Sequence, residues 1–171
     1  MAQTLSRLKK FEIFGKKWNE NKASVCKVLP FLCHTGTYFF VNAQSQFNDN
    51  ERILMSESKF PAGSSVKQLL HFAQLIKDKE FKHYDYGSVN ANFKEYRQKT
   101  PPLIDLSKIE KVPVAMFVGM QDDLANPIDT RWAKEQVKTT MFYKEIDQFD
   151  HGSFTIGRNM SYLKDIQDLL L

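Results

Sequence analysis

A chain of 171 residues that is 42% hydrophobic, 13% aromatic and 26% charged has enough apolar material for one packed domain or a piece of one, and its aromatic content excludes a disordered chain. The formal charge of +4 is dispersed, with Lys9–Lys10 and Lys16–Lys17 as the densest pairs; no basic stripe tracks a phosphate backbone, and nucleic acid is excluded as a partner. No run approaches the roughly 18 apolar residues of a membrane span, and the first twenty residues lack the apolar stretch of a signal peptide.

In chain order, the basic stretch Leu8-Lys9-Lys10-Phe11-Glu12-Ile13-Phe14 reads as a solvated helix face with a few buried aromatics, with a membrane surface as its rival. Val25 to Val41, interrupted by Pro30 and Gly36, reads as two short helices. Within that region Cys26 and Cys33 form either a local bridge or two free thiols, depending on the compartment. The aromatic group Phe31, Tyr38, Phe39, Phe40 and Phe47 reads first as core. Gln44 to Glu51 is polar loop. Ser64 or Ser65 then caps a helix over residues 65–78, on which Val66, Leu69, Leu70, Ala73 and Ile76 recur at helical spacing. His71 on this helix has no metal-ligand neighbour at suitable spacing and reads as a packed or hydrogen-bonded histidine, with His34 and His83 equally unsupported as ligands.

Pro101-Pro102 is the strongest internal boundary. Beyond it, Val112 to Val118 is a continuous apolar run ending at Gly119, the pattern of a strand buried on both faces of a parallel sheet. Pro127 to Lys138 reads as a helix with proline in its first turn. Met141 to Ile146 is a second strand, and Ser161 to Leu171 a closing helix. Strand, helix, strand, helix implies a parallel pair with a right-handed crossover, hence the α/β class. Tyr84, Tyr86 and Trp132 read as packing residues. Asn159-Met160-Ser161 fits the glycosylation triplet, which matters only on a secretory route.

In open α/β sheets, working residues gather in loops beyond the C-terminal ends of the strands. One loop here carries Asp122 and Asp123, the other Asp150 and His151. An acid after one strand and a histidine after the next is the late part of the Ser, Asp, His order of a hydrolase triad. Imidazole needs a carboxylate on one ring nitrogen to fix its tautomer, leaving the other to take a proton from serine.

The text Phe81-Lys82-His83-Tyr84-Asp85-Tyr86-Gly87-Ser88, followed by Asn92, Tyr96, Thr100-Pro101-Pro102 and Asp105 to Ile109, resembles the acid lipases, the gastric and lysosomal lipases and steryl ester hydrolases of the α/β-hydrolase superfamily. Pro61 to Val66 and Leu70-His71-Phe72-Ala73-Gln74 resemble the helix that returns from that family's lid to its core, and the loops around Asp122 and His151 resemble its acid and histidine loops. Over roughly residues 14–171 the resemblance implies the C-terminal part of the fold, the last two parallel strands with flanking helices. Residues 1–63 would be a partial helical lid or cap and 64–171 the C-terminal part of the core. It assigns the triad acid to Asp122, which stands before Asp123-Leu124-Ala125 as the family's acid stands before an arbitrary residue and Leu-Ala, with Asp123 the nearest rival. It assigns the base to His151, 29 residues further on. It also implies a neutral lipid ester substrate such as triacylglycerol or a steryl ester, contact with a lipid interface, no cofactor and no metal, a lysosomal or secreted location, and an acyl-chain role for the Phe31 to Phe47 aromatics.

The sequence departs from that family in three places. No G-x-S-x-G nucleophile elbow occurs in it, so no nucleophile is assigned and Ser153 reads as a loop residue. Gly152-Ser153-Phe154 follows His151 where the family often has an arbitrary residue and Asp-Phe. Cys26 and Cys33 stand closer together than the family's lid pair. The expected function is therefore lipase-type ester hydrolysis by a Ser-His-Asp mechanism, with the nucleophile on a missing N-terminal half and this chain inactive alone. The alternative is a non-catalytic lipid-binding or protein-interaction module derived from a lipase.

Overall fold

The computed structural model describes residues 12–13, 21, 25, 28–29, 31, 46–57, 60 and 62–171. They fall in two compact units. The first contains residues 12–13 and 62–105, and the second contains the described residues of 19–60 together with 106–171. Cys26, Cys33, His34 and Tyr38 to Phe40 lie outside the described residues, as does most of the helical stretch expected between Val25 and Val41. Phe31, which is described, is 64% exposed and is not a core residue.

In the first unit, strand β1 (Glu12–Ile13) pairs antiparallel with β2 (Ser64–Ser65), Glu12 opposite Ser65 and Ile13 opposite Ser64. The helix face expected at Leu8 to Phe14 is thereby corrected at Glu12 and Ile13. A β-branched residue beside an available strand edge takes the ladder, because pairing context overrides weak helical preference. The helix Val66–Asp78 starts as its sequence requires: Ser65 is extended and its hydroxyl accepts from the Gln68 N–H, satisfying one of the donors a helix start leaves open. His71 Nε2 lies 2.8 Å from the Lys82 carbonyl, and the His71 ring meets Tyr84 edge-on at 5.9 Å, so this histidine is a hydrogen-bonded packing residue.

The family-like text after Glu80 folds on itself. Buried Asn92, in the helix Val89–Tyr96, donates to Asp85 Oδ1 and accepts from the Tyr86 N–H, while the Tyr96 hydroxyl donates to the Tyr84 carbonyl at 2.9 Å. The Asn92 amide, then the Gly87 N–H, hold the Asp85 carboxyl below its usual range. Tyr84, Asp85, Tyr86, Asn92 and Tyr96 build this fold-back within the first unit, whereas Leu106 to Ile109 of the same text lie in the second.

In the second unit, β3 (Val114–Gly119) pairs parallel with β4 (Thr140–Ile146), with Met116 opposite Tyr143 and Gly119 opposite Ile146. The crossover helix Pro127–Gln136 opens with Pro127, and Asn126 Oδ1 accepts from the Ile128 N–H. The chain ends on the helix Tyr162–Leu170, tied to β4 by the 2.6 Å ion pair between Lys144 and Asp165. The parallel strand-helix-strand-helix order matches the sequence pattern. Burial does not: Val112 lies outside the strand and is 64% exposed, and Ala115 is exposed. Among the described residues β3 has one neighbour, β4, so the double-sided burial written into Val112 to Val118 is only partly realised. Trp132 is 45% exposed.

Two elements replace expected loop. Residues 50 and 51, whose polarity predicts a loop, begin the helix Asn50–Glu57; Asp49 caps it by accepting from the Glu51 and Arg52 N–H groups, both at 3.0 Å. Ser153, also expected in a loop, opens the short helix Ser153–Ile156. Ile53 of the first helix and Ile156 of the second form one buried cluster.

Candidate active site at the ends of the parallel strands

The parallel pair brings the two loops together because Gly119, the last residue of β3, has no side chain. A Cβ there would stand 2.6 Å from the Phe149 carbonyl oxygen, so only glycine allows this approach. The same carbonyl accepts from the Gln121 N–H at 2.8 Å. Behind the histidine loop the rings of Phe149, Phe154 and Tyr162 meet edge-to-face at 5.2 to 5.8 Å, an arrangement aromatic quadrupoles favour. The Tyr162 hydroxyl donates to the Phe154 carbonyl at 2.6 Å.

On this frame Asp122 and His151 meet. Asp122 is buried, and its Oδ1 accepts from the Leu124 and Ala125 N–H groups at 2.9 and 2.8 Å, which fixes the plane of the carboxyl group. Its other oxygen, Oδ2, lies 3.0 Å from Nδ1 of His151. Facing a carboxylate oxygen, Nδ1 is the nitrogen that carries the ring proton. The His151 side chain is 42% exposed, and among the described residues Nε2 has no hydrogen-bond partner. Asp123 is exposed and takes no part in this pair. The two residues border an open pocket of about 320 Å³ whose walls include Phe117, Ala125, Thr130 and Phe154. An imidazole oriented by a buried carboxylate, with its far nitrogen facing open space, can accept a proton from a hydroxyl brought to it and return it to a leaving group.

No protein-family profile matches the chain, but individual relatives do. It is 31% identical over 166 residues to lipase member K of Mus musculus, covering 91% of this chain and 42% of that protein. It is 34% identical over 128 residues to gastric triacylglycerol lipase of Rattus norvegicus, covering 75% and 32%, and 39% identical over 110 residues to a tear acid lipase-like protein of Mesocricetus auratus, covering 64% and 27%. The chain belongs to the acid lipase family. It spans about two fifths or less of the length of these relatives. Membership of the acid lipases implies the α/β-hydrolase fold, into which the parallel β3–β4 pair and its helices fit.

Three features of this candidate site are not evident from the sequence. Gly119 reads there as a strand end rather than as the contact that closes the site. Asn48 reads as one residue of a polar loop, yet it is fully buried and donates from Nδ2 to both Asp150 oxygens at 3.0 and 2.8 Å. Asp150 and Ser153 are the third. Their signal is present as Asp150-His151-Gly152-Ser153, a capping pattern in which residues three apart bond each other's backbone. Asp150 Oδ1 accepts from the Ser153 N–H and hydroxyl, and Ser153 Oγ accepts from the Asp150 N–H at 3.1 Å. Ser153 is 1% exposed with its hydroxyl spent on Asp150, which argues against its serving as a nucleophile.

Proposed function

We propose that this chain supplies the acid and the base of a lipase-type carboxylic ester hydrolase acting on neutral lipid esters, triacylglycerol or steryl ester, at a lipid interface. The observation that carries this reading is the 3.0 Å contact between His151 Nδ1 and the buried Asp122 carboxylate, together with relatives that are themselves named lipases.

In this reading, a serine on a G-x-S-x-G turn, supplied by a partner segment such as an N-terminal half, attacks the ester carbonyl as His151 Nε2 takes its hydroxyl proton. Asp122 holds the imidazole and stabilises the imidazolium. The proton passes to the departing alcohol, leaving an acyl-serine, and water then releases the fatty acid by the same route in reverse. No cofactor enters these steps. Residues 1–63 act as part of a lid and residues 64–171 as the C-terminal part of the core.

The test is to join or co-express the chain with an acid lipase segment bearing the serine elbow and to measure fatty acid release from emulsified triacylglycerol and from a steryl ester. Activity above that of either piece alone, lost on His151→Ala, is the expected result. A folded, joined protein that hydrolyses neither ester would refute it and leave the non-catalytic module as the better reading.

A further inference from the structure

We infer that Asp150 is a positioning residue for the base, and that Asn48, more than a hundred residues earlier in the chain, is the anchor it works from. The inference rests on the reading of His151 as the base. Side-chain orientation at His151 comes from Asp122, but a hydrogen bond at the tip of the ring does not fix the backbone from which the ring projects. That backbone is held by Asp150. Its Oδ1 accepts from the Ser153 N–H at 2.9 Å and from the Ser153 hydroxyl at 2.8 Å, while the Asp150 N–H donates back to that hydroxyl at 3.1 Å. The two residues on either side of His151-Gly152 thereby close a reciprocal ring around the base.

The ring is in turn fastened to a distant segment. Asn48 Nδ2 donates to Oδ1 and Oδ2 of Asp150, and both side chains are 0% exposed. Asn48 is held independently of that contact: it bridges Gly157, its carbonyl accepts from Arg158 Nε at 2.9 Å, and its neighbours add the Arg158 N–H to Phe47 carbonyl and Asp49 N–H to Ile156 carbonyl bonds. A buried carboxylate is costly unless its oxygens are satisfied. Burying one beside the base, bonded to Asn48 and Ser153 rather than to the imidazole, makes the direction of His151 depend on the segment around residue 48.

The experiment uses the 171-residue chain labelled with 15N and reads the His151 Nδ1–H proton, its resonance and its exchange with water. Neither readout depends on hydrolysis. Asp150→Asn sets two amide groups face to face and Asn48→Asp sets two carboxylates face to face; each is expected to speed exchange about tenfold or more, the loss of one charge-assisted hydrogen bond. The double swap, Asn48→Asp with Asp150→Asn, rebuilds an amide–carboxylate pair in reverse and is expected to return exchange to near the wild-type rate. Ser153→Ala keeps the Asn48–Asp150 contact and is expected to give a smaller acceleration, which keeps the idea testable if a single swap does not fold. Wild-type exchange in the folded single variants, or a folded double swap with no recovery, overturns the inference. Asp122→Asn is the separate control: an unchanged ring proton there counts against His151 and Asp122 as a pair, not against the brace.

Discussion

Gly119→Ala is the substitution whose effect follows most directly from distances. The added methyl carbon would stand 2.6 Å from the Phe149 oxygen, 3.0 Å from its carbonyl carbon and 3.2 Å from its Cβ. Two of these atoms are backbone, so relief requires the end of β3 and the 147–150 loop to part. Overpacking of this kind costs about 1–3 kcal/mol, and separation stretches the 2.8 Å bond from the Gln121 N–H to the Phe149 carbonyl, worth about 1 kcal/mol net. The total of about 2–4 kcal/mol lowers the melting temperature of a chain this size by about 5–15 °C. Urea and thermal unfolding followed by far-ultraviolet circular dichroism measure it. The same parting separates Asp122 from His151, so the His151 ring proton should exchange faster as well. Gly87→Ala is the matched control: Gly87 sits at φ +82° with nothing within 4 Å of where a methyl group would stand, so its cost is backbone strain of about 1–2 kcal/mol with no effect on the ring proton. A Gly119→Ala variant within about 0.5 kcal/mol of wild type, the range of ordinary surface changes, would refute the claim that close approach at Gly119 closes the site.

Ser65→Ala removes the acceptor for the Gln68 N–H and should cost about 1 kcal/mol in urea unfolding. Glu145 is held at about 2, against an ordinary 4.5, first by the Arg131 guanidinium and then by the Tyr143 hydroxyl. A depressed folded value means that the pair's contribution to stability is complete above about pH 4.5 and lost as pH falls through about 2; the stability gap between wild type and Glu145→Gln should therefore be full at pH 6 and mostly lost by about pH 2. In the joined lipase, Asp122→Asn should lower the hydrolysis rate by about 10⁴, as expected when a triad histidine loses its tautomer control, whereas Asp123→Asn, at an exposed position outside the pair, should change it less than about threefold. Equal losses at the two positions would mean that the acid has been misassigned.

What the sequence made legible is what local rules encode. Period, the Ser65 cap and Pro127 locate the Val66–Asp78, Pro127–Gln136 and Tyr162–Leu170 helices and both parallel strands to within a few residues, because Ser65, Pro127 and the apolar run before Gly119 act on their immediate neighbours. Asp122 and His151 are legible for a further reason: the ends of successive parallel strands are forced to one edge of a sheet, so two loops far apart in sequence share a place. Ser153 and residues 50–51 mislead because polarity suggests loop, where a polar residue three before another is equally a sign of a helix start.

The Asn48–Asp150 contact is illegible for a deeper reason. Nothing local distinguishes Asn48 from its polar neighbours Gln46 and Asp49; its burial follows from where residues 156–158 run, and their path follows from the Ile53–Ile156 cluster and the Arg52 to Gly157 carbonyl bond at 2.8 Å. A buried amide can be inferred only after its partner's position is known. That dependence also bears on how the site works. Asp122 reaches its place through the strand that carries it, so its aim is set by the sheet. His151 reaches its place through a short loop and a four-residue helix, elements too small to hold a direction alone. A side chain mounted on so short an element needs a second attachment, and among the described residues one comes from a segment 102 residues away from Asp150 in sequence.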